Sequence, residues 1–71
     1  MRDKINEILN LIKINKFVEA ERKCEEIKIK LDKNVEFLHI YGFVFFNLKK
    51  YYQSINVWKK AITIDPEFAQ G

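Results

Sequence analysis

This chain has almost none of the residues that punctuate turns. Its 71 residues include two glycines and one proline, too few for the tight turns and bulges that a β-fold built from short strands demands. Apolar residues recur instead with the period of a helix face. Ile5, Ile8, Leu9 and Ile12 form one stripe, and Phe17, Ala20, Cys24, Ile27 and Leu31 a second. Leu38, Tyr41, Phe45 and Leu48 form a third, and Tyr51, Ile55, Trp58 and Ile62 a fourth. Polar breaks separate them: KINK around Asn15, DKN at Asp32–Asn34 and LKK before Tyr51. Asn34 or Asp32 offers a side-chain oxygen to cap the third helix. Asp65-Pro66 closes the fourth, because proline cannot continue a helix yet suits the first turn of another. The expectation is an all-α fold: four helices of about 12 to 15 residues, arranged as two stacked antiparallel hairpins.

Length and composition narrow the setting. A chain this short holds one domain, residues 1–71, and buries only roughly 60% of the surface its unfolded form exposes. It must pack efficiently, associate with copies of itself, or belong to something longer. Apolar residues make up 48% and charged residues 32%, a globular balance that excludes a disordered tail. The net charge of +3 comes from 13 cations against 10 anions, and EAERKCEEIKIK interleaves the two signs. That pattern fits a solvated helix face with i,i+4 pairs such as Glu19–Lys23 and Glu26–Lys30, not the one-sign cluster of a nucleic-acid binder. Cys24 is the only cysteine, so it forms no intrachain disulfide; a small buried apolar side chain is its expected role. The setting expected is reducing and cytoplasmic. The longest apolar run, Phe37 to Leu48, falls well short of the roughly 20 residues a spanning helix needs, so no membrane insertion is expected.

Residues 35–68 carry the most specific pattern. They read Leu38-x2-Tyr41-Gly42-x2-Phe45, then Ser54-x3-Trp58-x2-Ala61, then Pro66. Helix-interior glycine costs roughly 1 kcal/mol relative to alanine, so Gly42 implies close helix approach, as do the small Ser54 and Ala61 on the facing helix. Tyr41, Phe45 and Trp58 are the large rings expected to fill the space around that notch.

This segment resembles the tetratricopeptide (TPR) repeat, W-x2-L-G-x2-Y…A-x3-F…P. It departs from that pattern with Leu38 for Trp, Tyr41 for Leu and Ser54 for Ala. Stepping back by the family's period aligns Ala20 with Ser54, Cys24 with Trp58 and Ile27 with Ala61. Residues 1–34 thus read as a degenerate repeat, with Ile8 at the glycine position and Asp32 at the proline position; another kind of helical hairpin is the alternative. Residues 69–71 begin a following helix or mark a truncation.

The resemblance implies that the first helix of each repeat lines a concave groove for partner segments. By repeat position the groove residues are Glu36, His39, Phe43, Phe46 and Asn47, with Arg2, Ile5, Leu9, Ile12 and Lys13 from the first repeat. Members of the family that grip acidic chaperone tails use Asn where Leu9 and Phe43 stand and Lys where Ile5 stands. The implied ligand is therefore an apolar peptide or amphipathic helix, read through spaced hydrophobic anchors. On the helical wheel Leu38, Tyr41, Phe45 and Leu48 face the fourth helix, and Phe37 and Val44 face a neighbouring repeat. Of the six rings between Tyr41 and Tyr52, only Phe43 and Phe46 lack an obvious intrachain partner, while Tyr51 joins the repeat core.

The leading expectation is a non-catalytic protein–protein interaction module. Self-association, as a dimer or by domain exchange, is the alternative, since two repeats are fewer than the roughly three that stable stacking usually needs. No cofactor is expected. One histidine and one cysteine do not provide the converging groups of an active site, and His39 has no second ligand at metal spacing. Base stacking beside Lys49, Lys50, Lys59 and Lys60 is disfavoured because stacking modules are normally sheets or barrels with exposed rings.

Overall fold

The computed structural model describes residues 2–67. The expected helix at 69–71 and the groove position of the Arg2 side chain lie outside the described residues. Four helices follow one another: α1 (Arg2–Lys13), α2 (Phe17–Ile27), α3 (Val35–Asn47) and α4 (Tyr51–Ile64). α1 packs on α2 and α3 on α4, and the two hairpins stack mainly through α2 and α3. Among the described residues there is no strand, and no helix is long and apolar enough to cross a membrane.

The same short turn closes both hairpins. Asn15 and Lys49 take left-handed backbone conformations, with φ of 63° and 64°. The next residues, Lys16 and Lys50, share φ −95° with ψ of 68° and 65°. In the first turn the Asn15 amide donates to the Ile12 carbonyl (2.9 Å) and the Lys16 amide to that of Leu11 (2.8 Å). In the second, Lys49 donates to Phe46 (3.0 Å) and Lys50 to Phe45 (2.9 Å). This is the Schellman arrangement, which ties off a helix's last carbonyls and normally places glycine at the left-handed position. Asparagine tolerates that conformation; lysine has no such local compensation. Equivalent atoms in the two turns are 34 residues apart, as are the ends of α1 and α3 and the starts of α2 and α4.

Asn34, not Asp32, caps α3: its side chain accepts the Phe37 amide at 2.9 Å. Asp32 instead faces Lys60 of α4 at 4.0 Å. At the end of α4, the Asp65 amide still donates to the Ala61 carbonyl (2.9 Å), and its carboxylate accepts the Glu67 amide (3.2 Å).

α3 is the central helix. Phe37, Leu38, Ile40, Tyr41, Val44 and Phe45 are all buried, and fully burying such side chains stabilises by about 1.5–3 kcal/mol each. On its α4 side the backbones come close at Gly42. A methyl group there would lie 2.2 Å from Nε1 of Trp58, so only glycine leaves room for the indole. The buried Ser54 hydroxyl donates to the Gly42 carbonyl at 2.9 Å, and the Trp58 indole N–H donates to the His39 carbonyl at 3.4 Å. Ala61 completes the buried face of α4. Toward the first hairpin, the Tyr41 hydroxyl donates to the Glu25 carboxylate, and Lys50 pairs with Glu21 at 2.6 Å.

Two substitutions test this framework by chemical denaturation. Gly42→Ala gains helix propensity worth roughly 1 kcal/mol but must displace the Trp58 ring. The expected net result is a loss of about 1–3 kcal/mol, the usual cost of overpacking. Lys49→Gly relieves the left-handed lysine and is expected to stabilise by roughly 0.5–1 kcal/mol, a rise of several degrees in Tm for a domain of this size.

Candidate functional site

The faces of α1 and α3 not used for hairpin contacts meet in a shallow apolar recess. Leu9 and Ile12 come from α1 and His39, Ile40 and Phe43 from α3, enclosing about 220 Å³. Leu9 and Phe43 are 38% and 41% exposed, so the recess has accessible apolar walls. Its one polar side chain is His39; the ion pairs Glu25–Lys28, Glu21–Lys50 and Asp32–Lys60 lie elsewhere. Such a site offers burial of apolar surface with little charge to steer or specify a ligand.

The residues placed on this face by sequence take different depths. Leu9, Ile12, His39 and Phe43 line the recess together. Ile5 is only 3% exposed and belongs to the core beneath it. Lys13, Glu36 and Asn47 are exposed on the same two helices, and the Asn47 side-chain amide donates to the Phe43 carbonyl at 2.8 Å. Phe46 is 49% exposed but stands outside the recess.

The expectation that Phe43 and Phe46 have no intrachain partner needs correction. Phe43 meets Phe17 of α2 edge-on, with ring centroids 6.2 Å apart. Phe46 lies between Tyr51 (5.2 Å, edge-on) and Trp58 (6.0 Å, tilted). Tyr51, expected in the repeat core, is itself exposed. These partners lie on the following or preceding helix, so the wheel of α3 alone does not reveal them. Ile40 was also absent from the expected groove: on the wheel it falls between Val44 and Phe43, and it is buried yet forms part of the recess wall.

Of the expected repeat core, Leu38, Tyr41, Gly42, Phe45, Ser54 and Ala61 are buried, Trp58 is half-buried and Pro66 is exposed. The rings of Tyr41 and Phe45 stack with centroids 4.4 Å apart. No group of three His, Cys, Asp or Glu side chains that could hold a metal occurs among the described residues.

Cys24 lies in the core under α3. Burial, aided by the nearby Glu25 and Glu21 carboxylates, pushes its thiol up to about 12. At pH 8 the thiolate fraction in the folded chain is then roughly one part in ten thousand. Because the folded-state value lies above the ordinary one, any stability linked to this group is complete below pH 9 and declines as the pH rises towards 12. Iodoacetamide labelling at pH 8 is expected to be negligible in the native protein and rapid after denaturation; rapid native labelling would contradict this burial.

No family model matches the chain, and neither a curated protein nor a solved structure matches it significantly.

Proposed function

We propose that the chain is a non-catalytic protein–protein interaction module of TPR type that takes an apolar peptide or amphipathic helix along the α1–α3 face. The observation that carries this reading is the recess itself. Leu9 and Ile12 of one hairpin and His39 and Phe43 of the other wall a single apolar space, although 27 or more residues separate the two sets in sequence. The 34-residue recurrence of turns and helix ends supports the repeat reading, as does the glycine notch filled by Trp58. With few polar groups in the recess, affinity rests on apolar anchors spaced along the ligand, and specificity on how their shapes fit.

Selection of random peptides on the immobilised full chain is the direct test. Enriched sequences are expected to carry large apolar residues at helical spacing. Phe43→Glu, which sets a carboxylate in the recess wall, is expected to weaken the selected peptides by at least about 2 kcal/mol, the scale of an interface anchor. Helicity measured by circular dichroism should be retained, because Phe43 is 41% exposed. Absence of enrichment, or selected peptides indifferent to Phe43→Glu, would overturn the proposal.

A further inference from the structure

Because the two hairpins share one backbone plan, the way the first is covered shows what the second lacks. α2 presents Phe17, Glu21, Cys24 and Glu25 to the second hairpin. Phe17 meets Phe43, Glu21 holds Lys50, Glu25 accepts from Tyr41, and Cys24 is sealed in the core. The residues 34 positions further on are Tyr51, Ile55, Trp58 and Lys59. Apart from Trp58, whose indole rests on Gly42 of α3, and Tyr51, which meets Phe46, no described helix covers that side of α4. Tyr51, Ile55 and Ile62 are between 40% and 49% exposed. With Trp58 they form a stripe at i, i+4, i+7 and i+11, and Phe46 extends it through its contacts with Tyr51 and Trp58.

We infer that this stripe docks one amphipathic helix of a partner protein, held on α4 as α3 is held on α2. The internal precedent specifies its chemistry. On the side of α3 away from α4, Phe37, Ile40 and Val44 are buried at the junction of the hairpins, with the Tyr41 hydroxyl reaching Glu25. The docked helix therefore carries apolar residues at i, i+3 and i+7 and a polar group at i+4. Where Glu25 receives that group in the first hairpin, α4 has Lys59, so the partner's group at i+4 is a carboxylate. Charge on α4 agrees, since Tyr51–Ile64 includes no acidic residue. The neighbouring cations Lys50 and Lys60 are already paired with Glu21 and Asp32.

A second copy of this chain fits the stripe poorly. Stacked head to tail, its α1 would present Asp3, Asn6 and Asn10, the residues 34 positions before Phe37, Ile40 and Val44. Pressing those groups onto apolar rings removes their water without offering partners. A two-fold pairing of α4 on α4 gives Lys59 no carboxylate from α4.

Trp58 is the only tryptophan, so docking reports itself through its fluorescence. The probe is a stapled helical peptide of about 16 residues, long enough to hold its shape, with Phe, Ile, Glu and Val at i, i+3, i+4 and i+7 in an Ala/Gln background. A matched peptide carries Lys at i+4. With the full chain, the Glu peptide is expected to blue-shift Trp58 and to bind at least about tenfold more tightly than the Lys peptide. Lys59→Glu should reverse that preference, and Ile55→Glu should abolish both complexes while helicity is retained. Ile62→Glu replaces the latter if it fails to fold. Leu9→Glu, in the α1 wall of the α1–α3 recess, should leave this binding unchanged, which separates the two surfaces. The inference is overturned if Trp58 does not respond up to about 1 mM peptide, or if the charge preference does not follow Lys59. It is equally overturned if sedimentation shows a dimer that Ile55→Glu dissolves, because a second copy then covers the stripe.

Discussion

The seating of the Trp58 indole on the bare backbone of Gly42 is the contact on which the rest of the arrangement depends. It draws α4 against α3 closely enough for the Ser54 hydroxyl to reach the Gly42 carbonyl. That closeness lets a 13-residue helix be apolar on nearly every side. One side of α3 is filled by α4, the opposite side is left for the first hairpin, and a narrow strip stays open beside α1. A side chain at position 42 would widen the α3–α4 spacing and tilt α3 relative to Leu9 and Ile12. The recess therefore depends on a residue that does not line it.

Polar contacts between the hairpins do a different job. The Glu21–Lys50 pair, the Glu25–Tyr41 bond and the Asp32–Lys60 pair all join segments distant in sequence. Partly exposed pairs contribute no more than about 1 kcal/mol each, much less than the apolar burial around Phe37 and Val44. Their geometry favours one register of stacking over its neighbours, since a shift of α2 along α3 breaks Glu21–Lys50 and Glu25–Tyr41 together.

Helix number and approximate limits were legible because helical periodicity is local and Asn34 carries its capping chemistry in its own side chain. The turn at Asn15 was partly legible for the same reason. The turn at Lys49 was not: nothing about lysine announces a left-handed backbone, and the conformation is imposed by antiparallel packing. The close approach at Gly42, Ser54 and Ala61 could be read from residue size. What the pattern could not tell was which side of α4 faces inward. Periodicity marks Tyr51, Ile55 and Ile62 as one face, and burial usually follows the most apolar face. Here the small residues opposite α3 are buried and much of the larger face remains in water. At the recess, repeat spacing brought Leu9 and Phe43 together. It could not show that Ile5 sinks into the core or that Phe17 props the Phe43 ring, because both depend on how the two hairpins nest.

The matching turns at Asn15–Lys16 and Lys49–Lys50 also make the length of this architecture independent of its local folding. A duplicate of residues 16–49 spliced at either turn would leave by the same dihedral angles with which it entered. Each added unit would carry its own counterpart of Gly42 and its own bond from the turn to the preceding helix. Growth or contraction by whole units thus leaves the backbone bonding of the remaining helices intact, and the number of hairpins becomes a modular variable, set by what each exposed end is built to meet.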